Sequence, residues 1–142
     1  MPNWGMTEAS DRDLINAAQE IIRARYRPDW HTVGCALRTR SGRVHLGVDL
    51  ECYVGRVTVC AEAIAIGRAV TDGDGAEIET IVAVYQASAD DPEPKVVAPC
   101  GMCREMISDY APTARVIVPG ETGPEVVLVG SLLPGKYVRP AS

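Results

Sequence analysis

Apolar residues recur along the chain first at helical spacing, then at alternate positions, and the switches mark its elements. In "SDRDLINAAQEIIRARY", Leu14, Ile15, Ala18, Ile21 and Ile22 fall on one helical face, with Ser10 or Asp11 as the expected N-cap. Pro28 disfavours helix in the residue before it and closes this element. "TVGCALRTRSGRVHLGVDLE" reads as a hairpin: Val33, Cys35 and Leu37 alternate with Gly34, Ala36 and Arg38, "SG" marks the turn, and Val44, Leu46 and Val48 alternate with His45 and Gly47. "CYVGRV" is a loop into the apolar helix "TVCAEAIAIGRAV", which stops near "TDGDG". "EIETIVAVYQAS" is a near-continuous apolar run, as in a strand covered on both faces. "ADDPEPK" is a polar loop, and "VVAPCGMCREMISDYAP" reads as a short strand, a turn and a helix. "ARVIVPG" and "PEVVLVG" are two further strands, and the tail "SLLPGKYVRPAS" keeps apolar residues to pack. The order α-β-β-α-β-α-β-β predicts a mixed α/β sheet of about five strands with helices on both faces.

Composition narrows the classes. A chain of 142 residues with 46 % apolar content suits one domain, expected over 1–142 with 1–9 as a loose N-terminal segment. A net charge of −5 and the lack of a basic run argue against nucleic acid as partner. No apolar run approaches the roughly 18 residues of a membrane span, and no basic-then-apolar leader opens the chain, so a cytoplasmic location is expected. Five cysteines are an odd number for a disulfide framework, which turns attention to metal ligation, redox chemistry or plain burial.

The cysteines carry the candidate chemistry. Cys100 and Cys103 form a C-x-x-C pair, which alone fits a redox dithiol, half a zinc site or two core residues. The pair follows a predicted strand and opens a predicted helix, where spacing of three shares a face and the helix N-terminus favours thiolate. Cys60 opens the other apolar helix in the same way. Three thiolates from two helix N-termini leave one corner of a tetrahedral zinc open, the arrangement of catalytic rather than structural zinc. Cys35, in strand alternation, and Cys52, in a loop, are the alternative fourth ligands. Glu62 is a lone carboxylate in an apolar helix, two residues after Cys60. Residues two apart in a helix do not share a face, so the pairing requires Cys60 at the cap and Glu62 in the first turn. There it can take a proton from a water whose pKa zinc has lowered to about 7. His45 reads as a surface residue of its strand. Trp30 reads as a core or interface aromatic.

"CAE" followed by "PCGMC" resembles the cytidine deaminase superfamily, in the branch of small homotetrameric cytidine deaminases and blasticidin S deaminase. "VGCALRTRSGRVHLGVDLE", "PCGMCRE" and "LLP" extend the resemblance over residues 10 to 138. It implies a three-layer α/β/α sandwich and one zinc ion per chain, held by Cys60, Cys100 and Cys103. It further implies that Glu62 carries protons to N3 and to the leaving ammonia, while hydroxide attacks C4 of the pyrimidine. Glu51 and Asp49 fall at positions for the ribose, the backbone of Ala61 at the base, and His31 where an aromatic residue usually packs on the base. Ala63 replaces an expected arginine. Three thiolates, zinc and hydroxide sum to about −2, so Arg56 and Arg104 become the charge-balancing candidates beside the helix N-termini. The implied reaction is deamination of cytidine or deoxycytidine in pyrimidine salvage. Its alternatives are deamination of an analogue such as blasticidin S and, in another class, an inactive zinc-stabilised nucleoside-binding module. Retention of Glu62 argues against the last. The implied assembly is a homotetramer with active sites near subunit interfaces.

Overall fold

The computed structural model describes residues 9–74 and 77–141. Helix α1 (Ala9–Arg25) is followed by strands β1 (Val33–Thr39) and β2 (Val44–Val48), and then by helix α2 (Ala61–Thr71). Strand β3 (Ile78–Tyr85), strand β4 (Lys95–Val97), helix α3 (Gly101–Tyr110) and strands β5 (Arg115–Gly120) and β6 (Gly123–Leu128) complete the order. Of the expected loose segment 1–9, only Ala9 lies among the described residues, and it is already helical. Ser10 and Asp11, expected as caps, are helical too. Asp11 is fully buried and accepts two bonds from the Arg115 guanidinium, at 2.8 and 2.9 Å. It serves a tertiary ion pair.

The sheet runs β2-β1-β3-β5-β6. β1 pairs antiparallel with β2 and, along its whole length, with β3. The other edge of β3 is divided: β5 runs parallel to it at Thr80 and Ile81, and β4 antiparallel from Ala83 to Tyr85. β6 closes the sheet antiparallel to β5. The sheet therefore has six strands rather than about five. The sixth is the short strand expected before "PCGMC", which the five-strand order leaves uncounted; its three residues pair through the backbone with β3.

Helices cover both faces. Leu14, Ala18 and Ile22 of α1 pack on Ala36, Val82 and Val84. On the other face Ala65 and Ile66 of α2 and Ile107 of α3 pack on Leu37, Ile81 and Val116. β3 feeds both cores, which is why its sequence is apolar without alternation. β2 also works on both faces, and this corrects the reading of His45 as a surface residue. Leu46 and Val48 pack on the α1 side, while His45 is only 6 % exposed and donates from Nε2 to Asp74 Oδ2 at 2.9 Å. Beside it, Gly47 admits the α2 backbone: a Cβ there would lie 2.6 Å from both the Ala61 oxygen and the Ala65 nitrogen. This close approach fixes the start of α2 against the sheet.

Candidate active site

Both helices of one face begin with a cysteine. Cys60 is the N-cap of α2, with extended backbone (φ −68°, ψ 151°), and Cys100 is the N-cap of α3 (φ −68°, ψ 170°). Each cap carbonyl accepts the first intrahelical bond, from Ile64 at 3.3 Å and from Arg104 at 2.9 Å. Cys103 stands in the first turn of α3 and Glu62 in the first turn of α2. Because Cys60 lies outside helical geometry, the spacing of two no longer turns it away from Glu62.

The two helix starts meet. The Cys60 and Cys100 sulfurs are 3.7 Å apart, and those of Cys100 and Cys103 3.6 Å. All three lie within 4.8 Å of one another. Disulfides require about 2.05 Å. Thiolates at about 2.3 Å from a tetrahedral zinc stand about 3.8 Å apart, which the observed spacing matches closely. The donor set therefore fits one zinc ion, with three protein ligands. Cys35 and Cys52 fall outside this cluster among the described residues.

Burial shapes the electrostatics. Desolvation pushes the Cys60 and Cys103 thiols up, and the nearby Glu62 carboxylate adds to the rise. Desolvation also opposes ionisation of Cys100, but the backbone N–H groups of Cys103 and Met102 and the neighbouring sulfurs outweigh it, so its pKa falls. Glu62 is 6 % exposed. Its burial raises the carboxyl above the usual range, partly offset by its own N–H and the Cys103 thiol, and the Asp49 charge raises it further. A carboxyl so raised holds a proton more readily than an exposed one.

A cavity of about 200 Å³ opens over these groups. Val33, Ala61, Val97 and Ala98 form apolar walls, and Asp49, Thr58 and Glu62 supply polar atoms beside Cys60 and Cys100. One oxygen of Asp49 accepts the N–H groups of Thr32 and Val33, at 2.9 and 3.0 Å, and so anchors the start of β1. His31 is half-buried and donates from Nδ1 to the Asp49 carbonyl at 2.8 Å; it is not among the cavity-lining residues. Glu51 is exposed outside the cavity lining. Its carboxylate accepts the Thr58 hydroxyl and the Cys52 N–H, which hold its pKa down.

The arginine candidates occupy different surroundings. Arg56 is exposed in the 3-10 turn Gly55–Val57. Arg104 donates to the carbonyls of Pro99 and Leu132, at 2.8 and 3.2 Å. Ala63 faces a shallow groove on the outside of α2 with Gly67 and Thr71. Thr58, Val97 and Ala98 join the cavity lining without being marked by any motif. In the structure Val59 bridges to Leu50 in extended conformation, and alternation turns Thr58 to the same side as Cys60; the sequence carries no signal of this. Trp30 packs edge-on against Tyr53, with ring centroids 5.2 Å apart, under the Arg27 guanidinium at 4.8 Å.

A three-cysteine cluster at two helix starts, with a buried carboxyl beside it on a mixed sheet, defines the zinc deaminase class. Residues 8–119 match the family model described as the cytidine and deoxycytidylate deaminase zinc-binding region, and the chain belongs to that family. It is 46 % identical over 131 residues to a blasticidin-S deaminase of Bacillus cereus, covering 91 % of this chain and 93 % of that one. Identity to a cytidine deaminase of Halalkalibacterium halodurans is 31 % over 133 residues, covering 89 % and 94 %. The crystal structure of cytidine deaminase from Burkholderia pseudomallei superposes with a TM-score of 0.73 at 30 % identity, over 93 % of this chain and all of that one.

Proposed function

We propose that the protein hydrolytically removes the amino group from a cytosine-type base carried by a nucleoside. The observation that carries this reading is the buried Glu62 carboxyl set beside three converging cysteine sulfurs at one cavity. Cys60, Cys100 and Cys103 would hold zinc, which when bound supplies a water acidic enough to act as nucleophile near pH 7. Glu62 would accept the proton released by that water and pass it to N3 of the ring; it would then take a second proton, from the hydroxyl added at C4, and hand it to the departing amino group. Ala61 and Val33 wall the flat base. Asp49, at the cavity edge, and Glu51, held through Thr58, face the sugar side. His31 acts through the Asp49 segment that it ties down. The helix N-termini and Arg56 offset the thiolate charge.

Two substrates have support. Identity of 46 % to a blasticidin-S deaminase favours a cytosine-bearing analogue of that type, and the 31 % relative supports cytidine or deoxycytidine in pyrimidine salvage. Loss of cytosine absorbance should be followed in parallel with blasticidin S, cytidine, deoxycytidine and free cytosine, alongside metal analysis. The expected result is about one zinc per chain, with blasticidin S as the best substrate. Zinc-free activity, or inactivity on all four compounds, would overturn the proposal.

The same reading includes one domain over 1–142, a homotetramer and a cytoplasmic location. One sheet shared by all three helices supports the first. The cavity falls below the roughly 300–1,000 Å³ of complete ligand pockets. Its neighbouring segment exposes Tyr53 (95 %), Val54 and Val57, which supports completion by another subunit. Five free cysteines suit a reducing compartment. No described helix is long and apolar enough to cross a membrane.

A further inference from the structure

Arg104 follows Cys103 directly, and its side chain turns back over the start of α3. Nε donates to the Pro99 carbonyl at 2.8 Å, and its backbone N–H donates to the Cys100 carbonyl at 2.9 Å. One residue thus grips the two carbonyls on either side of the Cys100 nitrogen and α-carbon. Nη1 of the same guanidinium reaches the Leu132 carbonyl at 3.2 Å, in the 3-10 turn Val129–Leu132. That turn is itself fixed. Val129 is buried and its N–H donates to Ala114 at 3.0 Å, Leu132 packs against the core, and Lys136 donates to Ser108 at 2.9 Å further along α3.

Cys100 needs such support. It is the most exposed of the three sulfur donors and stands outside the helix, at the end of a segment without regular structure. Its neighbours Val97 and Ala98 also form the cavity wall. We propose that Arg104 is a positioning residue. It fixes Cys100 relative to Cys103 by joining the Pro99 peptide to the C-terminal segment, and does not act as the counter-charge of the thiolates. The inference rests on the zinc assignment above. Its chemistry is that of a planar fork with donors at fixed separation, which neither a lysine ammonium nor a glutamine amide reproduces.

The test compares zinc-loaded wild type with Arg104→Gln and Arg104→Lys. Zinc transfer to a chromophoric chelator, the visible spectrum of the cobalt(II)-substituted protein, and the melting midpoint of each metal-free protein are measured. Both variants should lose zinc about 10–100-fold faster, with altered thiolate–cobalt absorption and metal-free midpoints close to wild type. Recovery of wild-type retention and spectrum by Arg104→Lys alone would reveal a charge role and overturn the proposal. Unchanged retention in both variants, or losses that only track a lower metal-free midpoint, would also overturn it. A wild type that binds no zinc would instead remove the metal assignment, and this role with it.

Discussion

The two ends of α2 each carry a buried polar cluster, and they are built to opposite standards. At the C-terminal end, Asp74 receives His45 Nε2 at 2.9 Å and the Thr39 hydroxyl at 2.7 Å, with Ser41 at 3.3 Å. Those donors hold its carboxyl below the usual range. At the N-terminal end, Glu62 is pushed the other way by burial, and of the three sulfurs Cys100 alone is held down, by backbone N–H groups and its sulfur neighbours, while Cys60 and Cys103 are raised. A satisfied network stabilises the fold, whereas groups with shifted pKa values gathered at a cavity mark a site that a metal and a substrate can use. The same helix therefore joins a structural anchor to a reactive centre.

The sharpest way to break the contrast is Glu62→Gln. It should keep zinc and the melting midpoint but lower turnover by at least about 10²–10⁴-fold; normal turnover would refute the proton-carrying role. His45→Ala should do the reverse. Loss of a buried hydrogen-bonding partner costs about 1–3 kcal/mol in denaturant unfolding, while kcat per folded, zinc-loaded molecule stays within about twofold of wild type, since His45 touches no cavity group. The smallest effect is in acid. Asp74 has a depressed pKa in the fold, so its contribution is present above the unfolded value of about 4 and fades as pH falls through the folded one. Asp74→Asn should flatten that part of the acid limb in a stability-against-pH series, and an unchanged slope would show that the network does not hold the carboxylate.

The contrast also explains what the sequence could reveal. The capped position of Cys60, with Glu62 in the first turn, was legible because it depends on two adjacent residues and helix-end chemistry. β3 was legible from its unbroken apolar run. His45 was misread because alternation assumes a strand with one wet face. Its partner Asp74 lies 29 residues away, and a glycine at 47 gives no apolar signal for the helix seated on it. Asp11 misled as a cap for the same reason, since Arg115 is 104 residues distant. Arg104 was singled out for its charge, but its partners are carbonyls, which no residue pattern records.

Gly47 gives the helix a mechanical property. With backbone atoms 2.6 Å from where a Cβ would stand, and with the Asp74 anchor at the far end, α2 behaves as a lever resting on a bare fulcrum. Any side chain at 47 would lift the lever and carry Cys60 and Glu62 with it. The permissible sequences at this position are thus limited by the reaction geometry, although the residue itself has no functional group to offer.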